Sequence, residues 1–157
     1  MATTTPQAIR ENQRDLILAI TPTEITGYSF VEHVEKGVFS EWVDLNAATC
    51  LRAFAIEDLS LYTTPLGGDH QSEEVVTQFA VSVAYPVTYS YGEDGVNGLA
   101  DVVELDRLAI ERAIGIYGAD NYVSGQNACL LEGFEIQRGD KAWIATATYE
   151  INFRRAV

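Results

Sequence analysis

The sequence predicts an α+β fold: an antiparallel or mixed sheet with two amphipathic helices on one face, in a single domain spanning residues 1–157. Three observations predict it. Apolar residues recur at helical spacing near the start of the chain and again over 99–117. Apolar residues alternate with polar ones over 75–91 and again over 143–153, the period of a strand with one buried face. Two helices cannot cover both faces of so large a sheet, which places them together on one side.

The first helix opens at "TTTPQAIRENQRDLILAITP", with Thr4 or Thr5 as N-cap and Pro6 in the first turn. Ile9, Gln13, Leu16, Ile17 and Ile20 form its stripe, with one polar gap, and Pro22 stops it. The stretch 24–47 is less regular, with strand expected over 39–45, and a clearer strand follows at 51–57. Residues 64–74 are polar and Gly-rich, a loop. Then Val75, Thr77, Phe79, Val81, Val83, Tyr85, Val87, Tyr89 and Tyr91 share one parity, a very long strand. Pro86 donates nothing to a ladder, so this run is bent there or lies on an edge. Its length exceeds what one small core requires. Tyr85, Tyr89 and Tyr91 are therefore candidates for a subunit interface, where tyrosine is enriched.

After the turn "YGEDGVNG", the helix over 99–117 buries Val102, Val103, Asp106, Ala109, Ile110, Ala113, Ile114 and Tyr117, leaving Glu104, Arg107 and Glu111 outside. The loop "GADNYVSGQNA" leads to a closing hairpin, with Phe134 and Ile136 on a short first strand. Trp143, Ala145, Ala147, Tyr149, Ile151 and Phe153 line one face of the second. Between them, Arg138-Gly139-Asp140 is the tripeptide that integrins read on adhesive proteins. Its flanks make it a tight turn in which Gly139 supplies a positive φ.

The net charge is −13, which argues against a protein that grips phosphates. No Lys or Arg lies between Arg52 and Arg107, while Glu57, Asp58, Asp69, Glu73, Glu74, Glu93, Asp94, Asp101, Glu104 and Asp106 do. That span is either a solvated face or a surface that repels DNA. Arg154 and Arg155 stand together near the C-terminus as candidate cationic contacts. No segment reads as a membrane span, and Arg10, Glu11, Arg14 and Asp15 interrupt any apolar leader, so a soluble intracellular protein is expected. Cys50 and Cys129 lack metal-ligand spacing and read as reduced core residues.

Catalytic motifs are not found: no nucleophile elbow, phosphate-cradling glycine loop or HExxH occurs. The expectation is a protein that is not an enzyme and uses no cofactor. Asp69, His70, Glu73 and Glu74 are the best metal candidates, yet such clusters in polar loops are commonly just solvated.

In order and pattern the chain resembles the tail terminator (tail completion) proteins of long-tailed bacteriophages. "TPQAIRENQRDLILAI", "LRAFAIED", "FAVSVAYPVTY", "DRLAIERAI" and "ATATYEINFRR" carry the likeness, which covers most of the length but not 24–47. The resemblance implies a homohexameric ring in the neck of the virion, assembled in the host cytoplasm. Such a ring caps the tail tube, ends its polymerisation and joins the head connector. Its partners would be its own copies, the tail tube protein and the head-tail connector or stopper, with no membrane. DNA would pass through the channel without specific binding, and the family has no catalytic residues to carry over. Asp69, Glu73, Glu74, Glu93 and Asp94 are the candidates to face that channel. Alternatives are another neck ring such as a head-tail stopper, a tail-tube subunit, or a small metal-dependent enzyme using the Asp69–Glu74 loop.

Overall fold

A computed structural model describes residues 4–25, 27–33, 37–66, 72–89, 91, 96–118 and 121–156. The architecture is α+β, with three helices and a five-stranded mixed sheet. The elements run α1 (Pro6–Leu18), β1 (Val31–Glu32), α2 (Phe39–Leu45), β2 (Ala53–Leu66), β3 (Ser72–Pro86), α3 (Val96–Ile114), β4 (Gln126–Arg138) and β5 (Ala142–Ala156). Strand order is β1-β2-β3-β5-β4; β1 is parallel to β2 and every other pair is antiparallel.

Helix α1 starts as its sequence dictates. Thr5 is the N-cap, its Oγ1 accepting from the Ala8 N–H at 3.1 Å, and Pro6 occupies the first turn. Ile9, Gln13 and Ile17 form its buried stripe. α3 begins three residues earlier than its spacing suggests and ends at Gly115, whose φ of +96° suits a residue without Cβ. A Cβ there would also stand 2.3 Å from the Tyr122 ring. These two helices pack on one face of the sheet, over Val75, Phe79, Val81, Val83, Tyr149, Ile151 and Phe153.

The strand expected over 39–45 is instead helix α2. Phe39, Trp42 and Val43 fall at i, i+3 and i+4, a helical stripe too short to show its period in sequence. It packs on the opposite face, against Ala53, Ala84, Ala142 and Ile144. Strands β2, β3 and β4 also depart from their expected lengths. β2 runs to Leu66 and β3 starts at Ser72, so most of the expected 64–74 loop is ladder. β3 stops at Pro86, where the missing N–H ends the pairing of an interior strand rather than an edge one. β4 takes up part of the expected loop before the final hairpin.

The hairpin turn stands at 138–142: Arg138 pairs with Trp143, and the Gly139 N–H donates to Ala142 O at 3.1 Å. Gly139 is not in the left-handed region. What excludes a side chain is proximity, because a Cβ would lie 2.8 Å from Ala142 O.

One polar clamp ties the layers together. Arg52 is fully buried, and all five of its N–H groups are used. Its Nε donates to Asp106 Oδ2 at 2.8 Å and its Nη2 to Asp106 Oδ1 at 3.0 Å. The other three N–H groups donate to the carbonyls of Glu24, Ile25 and Tyr28. Tyr85 donates its hydroxyl to Asp106 Oδ2 at 2.9 Å, the oxygen that also accepts from Arg52 Nε. Burial first, then the charge of Asp106, pushes the Tyr85 hydroxyl well above its ordinary range.

Ile25 and Arg52 both hold positive φ, 49° and 59°. A β-branched residue adopts that conformation only where its surroundings impose it, and here the Arg52 fork holds the Ile25 carbonyl. Glu111, expected on the exposed face of α3, is also buried. It accepts from Arg107 and from the Tyr117 hydroxyl.

Candidate interaction surface

The side of the sheet away from α1 and α3 is the candidate site. Among the described residues only α2 packs on it, at the end that carries Ala53, Ala84 and Ala142. The rest follows from strand parity. Ser82 and Thr146, joined by a 2.9 Å hydroxyl contact, lie there with Ala55, Ala80 and Thr148. Small and β-branched side chains keep this face smooth. Glu57, Glu74, Glu135 and Glu150 share its parity. Glu132 joins them at a bulge in β4, accepting from Gln78 Nε2 at 2.7 Å. The Gln78 Oε1 in turn accepts from Ser60 Oγ at 2.9 Å. A polar band thus crosses the sheet from β2 to β4. Five carboxylates face one described cation, Arg154.

The Glu150 carboxyl meets Glu132 of the neighbouring strand. Their hydrogen bond, then partial burial, then like-charge repulsion hold the Glu150 carboxyl above its ordinary range. The folded state therefore binds this proton more tightly than the unfolded one. Stability falls as pH rises from the ordinary carboxylate range through the raised value, and the penalty persists at neutral pH. Glu150→Gln is expected to melt higher than the parent at pH 7, with the gap closing below about pH 4. Equal melting temperatures at pH 7 would remove this repulsion.

The sequence candidates are dispersed by the fold. Asp69, His70, Glu93 and Asp94 lie outside the described residues. Glu74 lies on the acidic face, cross-strand from Arg154. Glu73 points to the helix side, where Arg155 Nε meets its Oε1 at 2.6 Å and Arg155 Nη1 reaches Thr4 O. Arg155 is thereby tied within its own chain; Arg154 remains exposed.

Tyr85 is corrected from interface candidate to core residue, because its ring is buried and its hydroxyl is held by Asp106. Tyr89 and Tyr91 leave the sheet after Pro86, meet each other edge to face at 5.3 Å, and pack against this chain's own core. Tyr91 donates to Pro86 O at 2.7 Å. Of the five acids on this face, Glu57 and Glu74 lie inside the basic-free span, whereas Glu132, Glu135 and Glu150 lie beyond it. The off-parity position of Glu150 on β5 was the sequence signal for one of them.

Other chemistry is sparse among the described residues. No three His, Cys, Asp or Glu side chains there converge as a metal site would require. Both cysteines are free and buried, and burial pushes Cys50 up to about 11 and Cys129 up to about 12, which keeps the thiols protonated. No described helix is long and apolar enough to cross a membrane. No family model matches the chain, and no curated protein matches its sequence.

Proposed function

We propose that the chain is a structural protein of a long-tailed phage virion, a tail terminator. In this reading six copies form a ring that caps the tail tube, ends its polymerisation and meets the head connector. The observation that supports it is the acidic sheet face, with α1 and α3 on the other side. In such a ring that face lines the channel and the helices stand outward. A lumen in which five carboxylates outnumber the one described cation, Arg154, holds the phosphates of passing DNA poorly.

The test reverses charge on that face. Glu135→Lys with Glu150→Lys is expected to give particles with normal tails that package or eject DNA poorly, read by plaque titre and ejection assays. Wild-type titres, or electron microscopy placing this face on the outer wall, would defeat the channel assignment.

A tail-tube subunit is the second reading, favoured by the four long strands, which also suit a stacked polymer. Deleting the gene separates the two. Loss of a terminator leaves overlong tubes, whereas loss of a tube subunit leaves none.

A further inference from the structure

The two edges of the sheet are open. Among the described residues β1 covers β2 only at Ala53 and Phe54, with the His33 N–H reaching Phe54 O, and nothing pairs with the outer side of β4. Open edges of this length invite strand pairing and are commonly blunted by lysine. Neither β2 nor β4 contains one. Both instead expose apolar side chains: Leu59, Leu61 and Tyr62 on β2, Leu130 and Leu131 on β4, each between 37% and 58% exposed.

These two patches lie at the same height. One cross-sheet row runs Asp58–Phe79–Tyr149–Leu131 and the next runs Ser60–Gln78–Glu150–Leu130. Both edges are also bulged at that level, between Asp58 and Ser60 and between Leu131 and Gly133.

We infer that copies of this chain join edge to edge, β2 of one against β4 of the next, with Leu59, Leu61 and Tyr62 meeting Leu130 and Leu131. Direction favours it. β2, β3, β5 and β4 alternate, so the outer two run in opposite senses. Setting β4 of one copy beside β2 of the next, without inverting either, continues the antiparallel ladder. This contact is heterologous, the kind that generates rings rather than closed dimers. Matching heights let the two patches meet without a slide along the strands, and a contact of this kind gives a ring where the rotation closes and a filament where it does not. The bulges bend both edges, and bending is what closure demands. Leu61 lies on the helix side with Leu131, and Tyr62 on the acidic side with Leu130. The same pairing fuses the acidic faces of neighbours into one surface, and in this respect the inference rests on the ring reading.

The test is thiol cross-linking with a short bismaleimide. Leu61→Cys and Leu131→Cys proteins are prepared singly, mixed, and combined in one chain, with circular dichroism confirming the fold. The expected result is linked dimers in the mixture, joined through the introduced thiols at position 61 of one copy and position 131 of the other, identified by peptide mass. The double variant should give a ladder reaching six, with no link between two introduced thiols in either single variant. Six-subunit rings by light scattering without that link would overturn the edge pairing and leave the ring reading intact. In the Leu61→Cys protein alone, links joining position 61 of one copy to position 61 of another would also overturn it, by showing β2 against β2. A link there from position 61 to the native Cys129 on β4 would support it. The expected link in an assembly other than six supports the edge pairing while ending the hexamer reading. A protein that stays monomeric on tubes ends both.

Discussion

Asp106→Ala is expected to destabilise the protein by about 3–5 kcal/mol, the cost of leaving a buried charge without its partner. Among the described residues the carboxylate is the only counter-charge that Arg52 contacts, and it also accepts the Tyr85 hydroxyl. Removing it strands two guanidinium N–H groups and one O–H where water has no access. For a chain of this size the loss corresponds to a fall in melting temperature of roughly 6–20 °C. Tyr85→Phe removes one hydrogen bond from the same cluster and should cost about 1 kcal/mol.

The ordering is the test, read by thermal or urea unfolding. A melting temperature for Asp106→Ala as high as that of Tyr85→Phe would mean that water or a rearranged neighbour replaces the carboxylate. The clamp would then not be what holds Glu24, Ile25 and Tyr28 to β2 and α3. Because it holds Ile25 at positive φ, the Asp106 variant should also raise hydrogen exchange at Ile25 and Tyr28.

The clamp also marks where the sequence stops being legible. Arg52 and Asp106 bound the stretch without basic residues, but nothing in their spacing says that they touch, since the contact closes only after β2, β3 and α3 are placed. Elements with a regular period were readable. The Thr5–Pro6 cap fixed the start of α1, and the parity of Trp143 to Phe153 matched the buried face of β5 residue by residue. Elements with a broken period were not. The bulge at Leu59 resets the alternation of β2, so residues 57–66 lose their pattern where the strand continues. Two bulges do the same to β4 and put Glu132 on the acidic face out of parity. In the other direction, alternation persists past Pro86 to Tyr91 although the ladder has ended, because Tyr89 and Tyr91 still pack on the core. For the candidate surface, the surplus of carboxylate was visible in the composition. The face that collects it depended on strand order.

Trp143→Ala is expected to cost about 3–5 kcal/mol, the range for deleting a buried aromatic ring. The indole is nearly inaccessible and belongs to the main core cluster. It stands opposite Tyr85 on β3 and Arg138 on β4, with the Arg138 guanidinium over its ring at 4.8 Å. Truncation opens a cavity at the point where the hairpin begins, and the backbone there cannot collapse into it, because Arg138 and Trp143 are the last pair before the turn. Asp140→Ala, one residue beyond the Gly139 contact and exposed, should change stability by no more than about 0.5 kcal/mol. The pair separates the two roles of this segment. If Trp143→Ala unfolds at nearly the parent's denaturant midpoint, the hairpin is not anchored through its indole. If a fully folded Asp140→Ala protein loses attachment to integrin-bearing cells, the tripeptide is a ligand rather than a turn. With the expected outcome the Arg-Gly-Asp sequence is a consequence of geometry. Arg138 covers an aromatic ring, Gly139 fits against a carbonyl, and Asp140 is an exposed turn residue.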